Sequence, residues 1–132
     1  MKKSLLYIFL LILFMLSCTK DGIEIDKDNL LIGVWNFSRS DVDVNVFARS
    51  RKFTLGHCYQ FNADGTLIER SYAGFCATPP VSYSDYQGVW SVLNDTLIKI
   101  TAKYWGGSTT YGLDIVSVSP DSLKVISTSF DF

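Results

Sequence analysis

The chain has one histidine, His57, and three cysteines, Cys18, Cys58 and Cys76, in 132 residues. A single imidazole with separated thiols and acids gives no metal-site spacing, so no metal or other cofactor is expected. Basic charge is short as well: 12 Lys and Arg stand against 13 Asp and Glu. Nucleic acid is therefore excluded as a partner, because displacing its counterions takes a basic face. Helical periodicity of useful length is missing beyond Asp26–Leu31, which leaves no crossover helix for a parallel sheet. Gly106-Gly107 has no helix after it and so reads as a turn, not as a phosphate cradle. A catalytic set is missing too. His57 and Cys58 are neighbours in an extended segment and point to opposite faces, which separates thiol from base. Among the acids only Glu69 has an argued inward direction, whereas glycoside cleavage needs two. No enzyme activity is expected, and no catalytic residues are assigned.

What the sequence does have is one long apolar run. Leu5–Leu16 follows Lys2 and Lys3, giving the basic and apolar regions of a secretory signal. It is too short to span a bilayer comfortably, which takes about 20 apolar residues. The run stops at Ser17-Cys18, an arrangement that resembles a bacterial lipoprotein signal, with Met15 where such signals usually carry Leu. The resemblance implies cleavage after residue 17 and acylation of Cys18 as the mature N-terminus. Chains such as palmitate would then hold the protein on the membrane, each buried methylene contributing about 0.8 kcal/mol. The divisions expected are a signal peptide at 1–17, an acylated tether at 18–29 and a folded domain at 30–132. Loss of Lys2 and Lys3 leaves 10 basic against 13 acidic residues, a net charge of −3. Thr19-Lys20-Asp21 is similar to the surface-export signal of some Gram-negative anaerobes' lipoproteins, which implies the outer membrane and its outer surface. With Cys18 acylated, parity leaves Cys58 and Cys76 as a disulfide in an oxidising compartment, or else as two inert thiols.

Beyond the tether the dominant period is two. Asp41-Val42-Asp43-Val44-Asn45-Val46 alternates polar with valine, and Phe53, Leu55, His57, Tyr59 and Phe61 continue the pattern. Turn clusters at 62–65, 94–96, 105–108 and 119–122 separate such runs at hairpin distances. The spacing predicts strands near 33–38, 42–49, 53–61, 66–73, 84–93, 97–104, 110–118 and 123–130. Eight strands in this order predict an all-β fold, an antiparallel up-and-down barrel, closed so that no edge is left exposed. A short N-terminal helical turn over Asp26–Leu31, capped by Asp26, is expected to plug its start. Asn62-Ala63-Asp64-Gly65 suits a type I turn with a left-handed glycine. That turn pairs Phe61 with Leu67, Tyr59 with Glu69 and His57 with Ser71 on the inner face, and turns Cys58 and Arg70 outward. The turn at 94–96 likewise sets Val92 against Ile98 and Trp90 against Ile100. Glu69 thus enters an aromatic space, where a carboxylate needs hydrogen bonds, a ligand or a wet end of the barrel.

Leu31-Ile32-Gly33-Val34-Trp35 resembles the Gly-x-Trp opening of lipocalins and their bacterial lipocalin-like relatives. Phe61-Asn62-Ala63-Asp64-Gly65-Thr66-Leu67 and Gly88-Val89-Trp90-Ser91 are similar to hairpin phrases of those small lipoproteins. The resemblance covers Leu30 to Phe132 and implies an eight-stranded barrel, often with a pocket for a small apolar molecule. Trp35 is then the closing side chain of the barrel floor, with Lys124 the only base on the last strand where lipocalins stack an arginine. An eight-stranded barrel is just wide enough to be filled by side chains or to hold one small ligand. Two functions follow. In one, a hydrophobic or amphipathic ligand sits within Trp35, Phe37, Tyr59, Phe61 and Trp90, oriented by Glu69. In the other, the barrel is solid and contacts a protein or glycan at the cell surface, through Tyr72-Ala73-Gly74-Phe75 and Tyr104-Trp105-Gly106-Gly107.

Overall fold

The computed structural model describes residues 25–74 and 79–129. The proposed signal, Cys18, Cys76 and Phe75 lie outside them. Eight strands form: β1 (Gly33–Asp41), β2 (Val44–Ser50), β3 (Cys58–Phe61), β4 (Thr66–Tyr72), β5 (Tyr83–Val92), β6 (Leu97–Tyr104), β7 (Gly107–Val118) and β8 (Ser122–Ser129). All neighbours are antiparallel, and the sheet closes on itself as a barrel.

The local turns set the register as expected. Asn62 N–H donates to the Thr66 carbonyl and Gly65 N–H to the Asn62 carbonyl, at 3.0 and 3.1 Å. Gly65 has φ of 86°, a left-handed conformation that glycine takes without a Cβ penalty. Phe61 then pairs with Leu67 and Tyr59 with Glu69, while Val92 meets Ile98 and Trp90 meets Ile100. The inner stripe buries Trp35, Phe47, Phe61, Leu67, Trp90, Ile98, Ile100, Leu113, Leu123 and Val125 in one core.

Around the wall the order is β1-β2-β8-β7-β6-β5-β4-β3, which departs from up-and-down at one place. Strand β1 stands between β2 and β3, so β2 pairs with β8, and residues 51–57 cross over β1 on the outside. Phe53 and Leu55, expected within a strand, belong to this strap, and Leu55 is 93% exposed. The strap is held by side chains that the wall turns outward. Buried Asn36 donates to the Lys52 carbonyl (3.1 Å) and accepts from Thr54 N–H (3.4 Å). Arg70 donates to the Thr54 carbonyl at 2.9 Å, lies over the Phe53 ring and forks onto Asp85.

Cys58 is part of the same outer layer. It is a free, fully buried thiol whose Sγ lies 3.7 Å from the Thr54 carbonyl and 3.5 Å from that of Gly56. Cys76, with which a disulfide is expected, lies outside the described residues; at Cys58 the strap covers the thiol, so it is neither on the lumen nor free on the rim. A correction concerns Asp26–Leu31, which forms two successive turns and not a helical one. Asn29 N–H donates to the Asp26 carbonyl and Ile32 N–H to the Asn29 carbonyl. Asp26 and Asn29 each accept a backbone N–H two residues on through their side chains, the local bonding that favours turns over helix.

Candidate functional site: the barrel mouth

Strand direction gives the barrel two different ends. At one end lie the entry to β1 and the turns β3–β4, β5–β6 and β7–β8; at the other lie the turns β1–β2 and β6–β7 and the approach to β5. The first end is a packed floor. Trp35 is fully buried, and its indole N–H donates to the Leu31 carbonyl at 2.8 Å. The guanidinium of Arg49 lies 4.2 Å from the Trp35 ring centroid. It also donates to the carbonyls of Ile32 (2.9 Å), Pro120 (2.6 Å) and Leu30. A cation does stack on the floor tryptophan, then, but β2 supplies it and not the last strand. Gly33 has a reason to be glycine: its φ is 134°, and an added Cβ would fall 2.4 Å from Arg49 Nη1.

Above the floor, rings continue the packing. Trp90 meets Phe61 edge-on at 5.2 Å, Phe61 stacks with Tyr59 at 5.5 Å, and Tyr59 touches Phe47. The Trp90 indole N–H donates to the Asn62 carbonyl, leaving no polar end facing a lumen.

The open end holds a pocket of about 370 Å³. Its aromatic lining is Phe37, Tyr72 and Tyr83, the last two stacked at 5.2 Å. Asn45, Gly56, His57, Glu69 and Ser71 complete it. Of the six residues expected to bind a ligand, Phe37 and Glu69 line this space. Trp35, Phe61 and Trp90 are core below it, and Tyr59 lies buried under its base.

At the base is a connected polar chain. Glu69, its side chain 12% exposed, takes His57 Nε2 on Oε1 at 3.0 Å and the Tyr111 hydroxyl on Oε2 at 2.9 Å. The carboxylate is the acceptor for both, so His57 Nε2 carries a proton toward it. Since Tyr111 gives its proton to Glu69, the Tyr59 hydroxyl donates to Tyr111, at 3.0 Å. Burial pushes both phenols above the ordinary tyrosine range. For Tyr59 the charge of Glu69 adds to burial, and for Tyr111 Tyr59 and Glu69 both add. They therefore stay neutral donors.

Sequence reasoning placed Glu69 correctly but missed His57 and Tyr111 as its partners. His57 comes at the end of the strap, where the carbonyl of His57 receives Phe37 N–H at 2.9 Å and ties the residue to β1. The alternation of His57 with Tyr59 and Phe61 was the available signal; for Tyr111, on β7, there was none short of the closed topology. The aromatic segment Tyr104–Gly107 is the β6–β7 turn at the mouth end, with Trp105 half-exposed and edge-on to Tyr104.

A closed eight-stranded antiparallel wall, a tryptophan floor and a lined mouth define a barrel of the lipocalin type. Residues 31–125 match the model of the lipocalin-like domain, and the chain belongs to that family. No curated protein and no solved structure matches the chain.

Proposed function

We propose that this protein is a lipid-anchored bacterial envelope protein that holds one small amphipathic molecule in its mouth pocket, without catalysing a reaction on it. The carrying observation is the pairing of an aromatic wall with the His57–Glu69–Tyr111 base. Specific small-molecule sites combine apolar lining with a few placed polar groups, and a volume of about 370 Å³ is within their range. The lipocalin-like fold is consistent with this use. A binding role is favoured over catalysis because a reaction needs a nucleophile coupled to its base. His57 turns Nε2 to Glu69, and among the described residues no hydrogen bond couples it to Ser71. The anchor rests on Leu5–Leu16 and Ser17-Cys18, and the outer-membrane assignment on Thr19-Lys20-Asp21.

Native mass spectrometry of the protein taken from its own host tests the pocket. The expected spectrum shows a bound small molecule that is missing from Ser71→Trp, in which the new ring fills the mouth. Equal cargo on both proteins, or none on the wild type, would overturn the reading.

A further inference from the structure

The pocket has a carboxylate, Glu69, but no lysine or arginine to supply a permanent positive charge. The arginines nearest in the wall are committed elsewhere: Arg70 to Asp85 on the outside, Arg49 to the floor, Arg39 to Asp41. Glu69 is held by two hydrogen bonds, one from the Tyr111 phenol and one from the His57 imidazole N–H. A carboxylate offers about four lone-pair sites, of which two are taken. A nearly buried carboxylate is costly to desolvate, and a ligand that brings positive charge to its two open lone-pair sites recovers part of that cost.

The walls favour the same ligand. Phe37 and the stacked pair Tyr72 and Tyr83 give aromatic surface for a ligand's body and a setting that tolerates a nearby ammonium group. An anionic amphiphile such as a fatty acid would have to bring its carboxylate toward Glu69 or leave it outside in water. We infer that the ligand is a small organic cation, a primary or substituted amine on an aromatic or aliphatic body, with its nitrogen on Glu69 and its body against Phe37, Tyr72 and Tyr83. This rests on the mouth pocket being a binding site, and narrows what it takes.

Three probes that differ only at the head group separate the possibilities: phenethylamine, phenethyl alcohol and hydrocinnamate, titrated calorimetrically at neutral pH into the intact barrel. The amine should bind at least about ten-fold tighter than the alcohol, with the carboxylate weakest. Glu69→Gln keeps the shape but removes the charge, and should bring the amine level with the alcohol. Ser71→Trp should abolish all binding. A carboxylate or alcohol that binds as well as the amine would sink the cation assignment while leaving the pocket standing. Failure of all three probes on the wild type would take down both. Should Glu69→Gln not fold, the rank order on the wild type decides the matter by itself.

Discussion

Arg49 lies over the Trp35 ring and spreads its three nitrogens over the carbonyls of Leu30, Ile32 and Pro120. One side chain from β2 thus joins the approach to β1, the β7–β8 turn and the floor ring. Arg49→Ala should lower stability by about 2–4 kcal/mol, from the lost stacking and the carbonyls left without a donor. Arg49→Lys should recover only a minor part, since an ammonium cannot fork in a plane. Urea unfolding measures both, and a loss below about 0.5 kcal/mol for the alanine variant would refute the clamp, because such a loss is ordinary for any surface position.

Asn36 faces outward under the strap and bonds to it at both ends of its amide. Asn36→Leu should cost about 1–3 kcal/mol, as the Lys52 carbonyl and the Thr54 N–H lose their part-buried partner. Hydrogen exchange should rise specifically over residues 51–57. Because the strap carries Gly56 and His57 to the pocket, ligand affinity should fall along with it. Unchanged exchange there would show that the strap is held by other means.

The raised pKa values of Tyr59 and Tyr111 have a definite sign. Each folded phenol keeps its proton at a pH where the unfolded one, with an ordinary value near 10.0, has lost it. Their contribution to stability is fully present below about pH 10 and is lost as pH rises above it. Ultraviolet titration of the folded protein should show these two phenols silent while exposed tyrosines ionise. Tyr59→Phe and Tyr111→Phe should remove no folded-state titration below unfolding, and a drop in absorbance change on either substitution would contradict the assignment.

Acylation at Cys18 predicts that radiolabelled palmitate enters the wild type in its host and not Cys18→Ala. The variant should also leave the membrane fraction. Equal labelling of the two would end the anchor proposal without touching the pocket.

The inward direction of Tyr59, Glu69 and Trp90 was legible because short turns at 62–65 and 93–96 lock the register, and alternation then assigns each side chain a face. Depth was not legible. Alternation does not tell how far along the axis a side chain sits, so Phe61 and Trp90, which fill the floor half, looked equivalent to Phe37, which borders the mouth. The crossover was hidden for a related reason. Phe53 and Leu55 alternate like a strand, and the distance between β2 and β3 suits a hairpin as well as a strap. Gly56, with φ of 108°, is the one local sign that the pattern breaks there. Tyr111 could be joined to Glu69 only by closing the wall, because 42 positions separate them.

Strand β1 enters the wall at the sealed end, and β8 leaves it at the open one. A surface that grips the chain ahead of Gly33 thus holds the barrel by its stopper and presents the cup outward to the medium. Attachment past Ser129 would do the reverse and set the cup against whatever it was attached to. For handling on a sensor chip, and for a cell that fixes the molecule by its leading segment, the direction of the chain already decides which way the opening looks.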